Sequence, residues 1–169
     1  MVAASASRSS LAHIVITGNE IAGYNATTPN AISVSTSDGG AVFDLLIATN
    51  SATLATASHP NVGIYVGAGV SNFVIEHNTV DSTDTAIHLS ATALGLIGDN
   101  LATNIGTAKY GGGDDAAVIH DLQGVAAGAL PMAANGSKIY CIDCTITYSC
   151  TGGGTGAIAK YLNGVKVCN

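Results

Sequence analysis

The sequence predicts an all-β protein: a right-handed parallel β-helix, which is a solenoid of stacked coils, followed by a small C-terminal β-hairpin module and assembled as a homotrimer. Two short strand-like motifs recur in step along the chain, and an Asn-Gly pair near the C-terminus separates two apolar runs. The composition, with 21 Gly and many β-branched residues, suits short strands and tight turns. We expect a lead-in over residues 1–10, the parallel β-helix over 11–110, a linker over 111–133 and a cysteine-containing β module over 134–169.

The first motif has the form apolar-x-Ile-x-x-Asn. It occurs at residues 14–19, 45–50, 73–78 and, in weaker form, 95–100. A second motif, small-Ile-x-apolar, alternates with the first. It occurs at residues 31–34, 63–66 and 86–89. Two strand families that advance together indicate the coils of a solenoid, about four of them over residues 11–105. The alternative is a β-sandwich with chance matches, but a sandwich does not predict a fixed Asn.

Side chains in a strand alternate between two faces, which assigns each motif position to one side. We expect the Ile three places before each Asn to be buried and stacked inside the coil. These residues are Ile16, Ile47, Ile75 and Ile97. The Asn is expected at the bend, because Asn tolerates left-handed backbone dihedrals, and its amide can bond the Asn of the next coil.

The residue four places before each Asn points outward and is nevertheless large and apolar. These residues are Val15, Leu46, Val74 and Leu96. In the second strand family the outward residues are polar or amphipathic: Ser33, Tyr65 and His88. A contiguous apolar stripe on one outer face indicates a partner surface, so we predict that it lines the axis of a homotrimer. The alternative is that a loop of the same chain, such as 54–62 or 102–116, covers the stripe.

All four cysteines lie in the last 29 residues: Cys141, Cys144, Cys150 and Cys168. Asn163-Gly164 predicts a two-residue β-hairpin, in which Leu162 faces Val165, Tyr161 faces Lys166 and Ala159 faces Cys168. With strand 138–141 beside this hairpin, the four sulfurs can converge in a module that has little core. Such a module needs a covalent or metal staple. We favour a shared metal site, most plausibly zinc, over the alternative of two disulfides.

The charge and hydropathy patterns exclude several classes of function. The net charge is −6, with five cationic side chains scattered along the chain, so no basic face is available for nucleic acid or an anionic membrane. No run of about 18 apolar residues is present, so we predict no membrane span. The first ten residues lack the apolar core of a secretory signal peptide, and strand-like sequence begins almost at once. We therefore expect a C-terminal fragment of a longer chain or the product of an internal start.

The repeated I-x-I-x-x-N-x-[IV] pattern, over about 90 residues, resembles the pectate-lyase-like superfamily of right-handed parallel β-helices. The terminal segment is similar to the closing region of bacteriophage tailspike and tail-fibre proteins. Its residues are 134–144, Cys150, 152–156, 163–164 and 168–169. The resemblance implies a trimerising C-terminal part that caps the β-helix and contributes to recognition of host polysaccharide. It also implies a place in the virion or outside the cell, after synthesis in the bacterial cytoplasm without a signal peptide. The alternatives are a polysaccharide depolymerase (a glycoside hydrolase or lyase) and a bacterial surface adhesin.

Three carboxylates are the candidate catalytic residues of such a depolymerase: Glu76, Asp81 and Asp84. Glycoside hydrolysis needs two carboxylates on one face, and neighbouring rungs or turns can supply that spacing. The favoured alternative is that residues 81–84 form a solvated turn, for which Asp and Ser are the expected residues. We therefore predict that this chain alone does not cleave polysaccharide.

Overall fold

In a computed structural model of the chain, the regular secondary structure is almost entirely β-strand. The structure describes residues 1–23, 30–53, 61–90, 93–112, 117–147 and 149–169. Within these ranges there is no α-helix, and one 3₁₀ helix covers Ala127–Ala129. The all-β prediction is confirmed. Among the described residues no helix is long and apolar enough to span a membrane.

Within the described residues, fourteen strands form three parallel sheets, which the chain visits in turn. The first sheet contains β1 (Val2–Ser7), β4 (Asn30–Ser37), β7 (Val62–Val66), β10 (Thr85–Leu89) and β13 (Ala108–Gly112). The second contains β2 (Ser10–Thr17), β5 (Ala41–Ala48), β8 (Val70–Glu76), β11 (Leu94–Ile97) and β14 (Val118–Val125). The third contains β3 (Glu20–Ala22), β6 (Ser51–Thr53), β9 (Thr79–Asp81) and β12 (Leu101–Thr103). Each strand therefore pairs with the strand three places later in the chain.

The repeated Ile residues form one ladder inside the second sheet. Ile16 pairs with Ile47, Ile47 with Ile75, and Ile75 with Ile97. Ile16 is 6% exposed and the other three are fully buried. Side chains from all three sheets join them in a single apolar cluster. The predicted burial and stacking of these residues is confirmed.

The motif asparagines form a second, polar ladder at the corner between the second and third sheets. The ladder consists of Asn19, Asn50, Asn78 and Asn100. The side-chain amide of each of the first three donates to Oδ1 of the next at 2.9 Å. The same Oδ1 atoms accept the backbone N–H of the preceding Asn at 3.0–3.1 Å. The predicted stacking is confirmed, and it satisfies polar groups that are otherwise buried.

The bend differs in one respect from the prediction. The positive φ falls on the residue before the Asn, with values of 65° at Gly18, 55° at Thr49 and 54° at His77. None of the ladder asparagines has a positive φ. The Asn keeps an ordinary backbone because its side chain, bonded along the ladder, fixes the corner.

The sheets extend beyond the predicted boundaries at both ends. β1 lies in the predicted lead-in over 1–10 and pairs with β4 along its whole length. The predicted linker over 111–133 contains the end of β13 and the whole of β14, which pairs with β11. The parallel strands therefore run from Val2 to Val125, and β15 adds one more parallel strand after them.

The C-terminal module extends the second sheet and reverses its direction. β15 (Lys138–Cys141) is parallel to β14, whereas β16 (Ala157–Leu162) and β17 (Val165–Cys168) are antiparallel to their neighbours. The hairpin pairs Leu162 with Val165 and Ala159 with Cys168, as predicted. Its turn residues Asn163 and Gly164 have φ of 51° and 76°, as a type I′ turn requires.

Candidate functional site

The predicted outward stripe lies on the outer face of the second sheet. Val15 pairs with Leu46, Leu46 with Val74, and Val74 with Leu96. Val118 of β14 continues the row beyond the predicted four residues, because it pairs with Leu96. Val15 is 63% exposed and the others are half-buried. The five side chains thus form a continuous apolar row across five strands.

A second row runs beside the first on the same face. Ala12 pairs with Phe43, Phe43 with Ser71, and Ser71 with Leu94. Phe43 is 38% and Leu94 55% exposed, which is high for large apolar side chains. Sequence reasoning missed this row because an extra residue in β2, β5 and β8 separates it from the motif and breaks the alternation.

The extra residues form a polar line between the two apolar rows. His13, Asp44 and Asn72 have φ of 55°, 55° and 52°, so they bulge out of the strands. His13 Nδ1 lies 3.4 Å from Asp44 Oδ2, and the amide of Asn72 donates to Asp44. The polar line is therefore paired within the chain. A partner could cover it without leaving its carboxylate unsatisfied.

The outer faces of the other two sheets are polar in their described residues. On the first sheet Ser33 pairs with Tyr65, and Tyr65 pairs with His88 and stacks on its ring at a centroid distance of 5.6 Å. On the third sheet the outward residues are mainly Ser, Thr and Asp, with Leu101 as an apolar exception at 48% exposed. The second sheet is therefore the one with an apolar outer face.

The loops that could cover the stripe in cis are only partly described. Residues 54–60 and 113–116 lie outside the described residues. The described remainder of the second loop forms β13 in the first sheet and the end of β12 in the third. These parts belong to the other two sheets.

The three candidate catalytic carboxylates are held separately. Glu76 ends β8 in the second sheet, Asp81 ends β9 in the third, and Asp84 precedes β10 in the first. Asp84 Oδ2 accepts the backbone N–H of Asn61 at 3.1 Å. In the described part of the chain no hydrogen bond or ion pair joins the three side chains.

Asp81, the last residue of β9, accepts hydrogen bonds from the next residue and from the end of β12. The side chains of Thr103, Ser82 and Asn104 donate hydrogen bonds to its carboxylate. These bonds, that from Thr103 foremost, lower the pKa of Asp81 below its ordinary value of 3.8. Asp81 therefore stays ionised at neutral pH and is unsuited to the role of a general acid.

A buried ion pair that sequence reasoning missed lies near the end of the parallel strands. Lys109 Nζ is 2.9 Å from Asp121 Oδ1, with the two side chains 9% and 0% exposed. Burial lowers the pKa of Lys109, and Asp121 opposes that shift. The sequence signal for this ion pair is the position of Asp121 in β14. It comes two residues after the buried Ile119 and therefore points to the same, inward side of the strand.

Gln123 joins this ion pair to the edge of the third sheet. Its Oε1 accepts from Lys109 Nζ at 2.7 Å and from the backbone N–H of Ala102 at 2.9 Å. Its Nε2 donates to the carbonyl of Ala102 at 3.0 Å. The side-chain amide thus makes the hydrogen bonds to β12 that the backbone of a further strand would make. This closes an edge that would otherwise expose unpaired polar groups.

A surface pocket of about 350 Å³ lies at the asparagine corner of the last repeats. Its walls are His77, Asn78, Thr79, Asp99, Asn100, Leu101 and Gln123. Asn78 and Asn100 are committed to the ladder, so His77, Thr79 and Asp99 are the side chains that remain to face a small polar ligand.

The four cysteines converge, as the sequence predicts. They form two disulfides, Cys141–Cys144 and Cys150–Cys168, which is the alternative that the sequence left open. The sulfurs of Cys144, Cys150 and Cys168 lie within 4.8 Å of one another, so the two bonds are adjacent. This group, and the set of Cys141, Asp143 and Cys144, have a spacing that could bind a metal ion.

No family model, curated protein or solved structure matches the chain. The apolar outer face of the second sheet and the cysteine cluster are the two features on which a function can be built.

Proposed function

We propose that the chain is a right-handed parallel β-helix that assembles as a homotrimer through the outer face of its second sheet. The observation that carries the proposal is the row of five apolar side chains: Val15, Leu46, Val74, Leu96 and Val118. A contiguous, partly exposed apolar surface of this kind is typical of protein interfaces. The polar outer faces of the other two sheets favour a single interface on each chain.

The order in which the chain visits its three sheets supports the proposed β-helix. Three parallel sheets share one apolar cluster, and each gains a strand in every repeat. A path of this kind closes most simply into a three-sided coil. Crossovers between parallel strands are right-handed in nearly all proteins, so we assign that hand.

The function that fits such a trimer is structural and host-facing. We assign the chain to the C-terminal region of a tailspike or tail fibre of a bacteriophage, where it terminates the solenoid and contributes to contact with host polysaccharide. Two features support a terminal role: Gln123 closes the edge of the third sheet, and the antiparallel hairpin ends the second. The corner pocket beside His77 and Asp99 is the place we propose for contact with a sugar.

We further propose that zinc is the metal of the cysteine cluster when its sulfurs are thiols, because four-thiolate sets are typical structural zinc sites. The disulfide form would serve outside the cell, where disulfides persist. The zinc form would serve in the reducing cytoplasm.

The interface is tested by a charge placed in the apolar row. Val74→Asp puts a carboxylate at the middle of the proposed contact, where burial without a partner costs several kcal/mol per chain. Ser33→Asp is the matched control, since it places the same charge at a half-buried outward position of the first sheet. By multi-angle light scattering, Val74→Asp should be monomeric and Ser33→Asp should remain trimeric. A trimeric Val74→Asp protein would refute this interface.

A further inference from the structure

We infer that the C-terminal module has two interchangeable states, a four-thiolate zinc centre and the pair of disulfides. Cys144 belongs to both groups of possible metal ligands, one with Cys150 and Cys168 and the other with Cys141 and Asp143. This inference rests on the proposed zinc ion and is independent of the proposed trimer.

The positions of the sulfurs support a single centre. Cys144 belongs to one disulfide and Cys150 and Cys168 to the other, yet the three sulfurs lie within 4.8 Å of one another. Tetrahedral zinc with Zn–S bonds of about 2.3 Å keeps its sulfurs about 3.8 Å apart. Rotation of the cysteine side chains about χ1 moves the sulfurs while the backbone stays in place. Cys141 lies outside this group of three but is bonded to Cys144, and it would be the fourth ligand after the largest movement.

The backbone around the sulfurs is held independently of them. Cys141 ends β15 and pairs with Ala157, while Cys168 ends β17 and pairs with Ala159. The loop between them is tied down by bonds from Gly156 N to Cys144 O and from Cys168 N to Thr147 O, at 3.2 and 3.1 Å. Reduction of the disulfides would therefore release four thiols that remain close together.

The surroundings favour metal over free thiols. Cys141, Cys144 and Cys168 are at most 2% exposed, while Cys150 is half-buried and gives solvent access to the cluster. The reduced and metal-free form would lose the two covalent links that join the loop after β15 to strands β15 and β17. Zinc would supply the lost stabilisation, because metal binding to a preformed set of ligands adds to the folding free energy.

The conversion of the zinc centre into the two disulfides balances when a small disulfide is the oxidant. Four zinc-bound thiolates and two molecules of a disulfide such as oxidised glutathione, with four protons, give two protein disulfides, four small thiols and one Zn²⁺. Each protein disulfide forms as two thiolates transfer two electrons to the oxidant, through a mixed disulfide. Cys150 is the accessible sulfur at which the first attack is expected.

Asp143 is the residue that tests the ligand set. Its Oδ1 lies 3.5 Å from Cys141 Sγ, and it also accepts the backbone N–H of Ala127 at 2.6 Å. We assign it a positioning role, because that backbone bond already occupies the oxygen nearest the sulfurs. Asp143→Asn should therefore retain the metal, whereas Cys144→Ser should lose it.

The experiment uses the full chain, fully reduced and purified without chelator. Zinc is counted by elemental analysis, and cobalt is added as a spectroscopic probe of tetrahedral thiolate coordination. About one metal per chain is expected for the parent and for Asp143→Asn, and none for Cys144→Ser. Circular dichroism confirms that each variant is folded. A reduced, folded parent chain without metal would overturn both the zinc ion and the exchange. Loss of metal from a folded Asp143→Asn chain would overturn the four-sulfur set.

The exchange is tested in a second step on the metal-loaded chain. Oxidised glutathione should release one zinc for every four thiols consumed. Tryptic digestion without reduction should then yield peptide 139–160, with an internal disulfide, linked to peptide 167–169. Oxidation without release of zinc, or with Cys168 left unlinked, would overturn the exchange and leave the zinc site standing.

Discussion

Removal of one asparagine from the middle of the ladder should cost more stability than any single surface interaction of the chain. Asn78 is 1% exposed. Its amide donates to Ile47 O, Glu76 O and Asn100 Oδ1, and its Oδ1 accepts the backbone N–H and the side-chain amide of Asn50. Asn78→Ala removes five hydrogen bonds and leaves most of their partners buried.

The expected magnitude follows from those bonds. A hydrogen bond contributes about 1 kcal/mol net, and a buried group left without a partner costs about 1–3 kcal/mol. We expect Asn78→Ala to lower the free energy of unfolding by about 4–5 kcal/mol. Asn19→Ala is the matched control, because Asn19 stands at the end of the ladder, is partly exposed and donates only two bonds. We expect Asn19→Ala to lower the free energy of unfolding by about 1 kcal/mol.

Urea denaturation followed by circular dichroism, at one protein concentration, measures both variants against the parent. The difference between them is the informative quantity, since both lose the same side chain. Equal destabilisation by Asn78→Ala and Asn19→Ala would refute the view that the ladder fixes the corner. A change in the denaturant slope would instead show that the unfolding transition itself had changed.

Three further predictions concern other parts of the chain. Lys109→Met should lower the free energy of unfolding by about 3–5 kcal/mol, because it leaves the buried Asp121 carboxylate without its cation. In the same denaturation assay, the double variant with Asp121→Asn should recover part of that loss. Gly164→Ala should lower the free energy of unfolding by about 1 kcal/mol, since φ of Gly164 is 76° in the hairpin turn. Gly128→Ala should change it little, because Gly128 has open space around it and no positive φ. Thermal melting compares the two variants. Incubation with host capsule or lipopolysaccharide should release no new reducing ends, and turnover that Glu76→Gln or Asp84→Asn abolishes would contradict this.

The sequence predicted those parts of the fold in which one side-chain pattern decides the structure. Ile16, Ile47 and Ile75 were placed correctly because residues three places before a fixed Asn share one face. The hairpin was placed correctly because Asn163-Gly164 permits one turn type with one register. In both cases the local pattern and the long-range pairing agree.

The sequence did not predict elements whose apolar pattern is weak or interrupted. β1 is Val2–Ser7, made almost entirely of Ala and Ser, so its two faces differ little in hydropathy. β14 places the charged Asp121 at an inward position, where alternation predicts an apolar residue. The second apolar row was hidden because bulges such as that at Asp44 shift the alternation by one residue. These are long-range features, visible only once strands are paired.

The mass of the chain in solution tests the central claim most directly. Sedimentation equilibrium of the unmodified protein at micromolar concentration requires no variant and no ligand. A chain of 16.7 kDa that associates through the outer face of its second sheet should give a single species of three times that mass. A single species of 16.7 kDa would contradict the account, since the apolar row would then face solvent or a loop of its own chain.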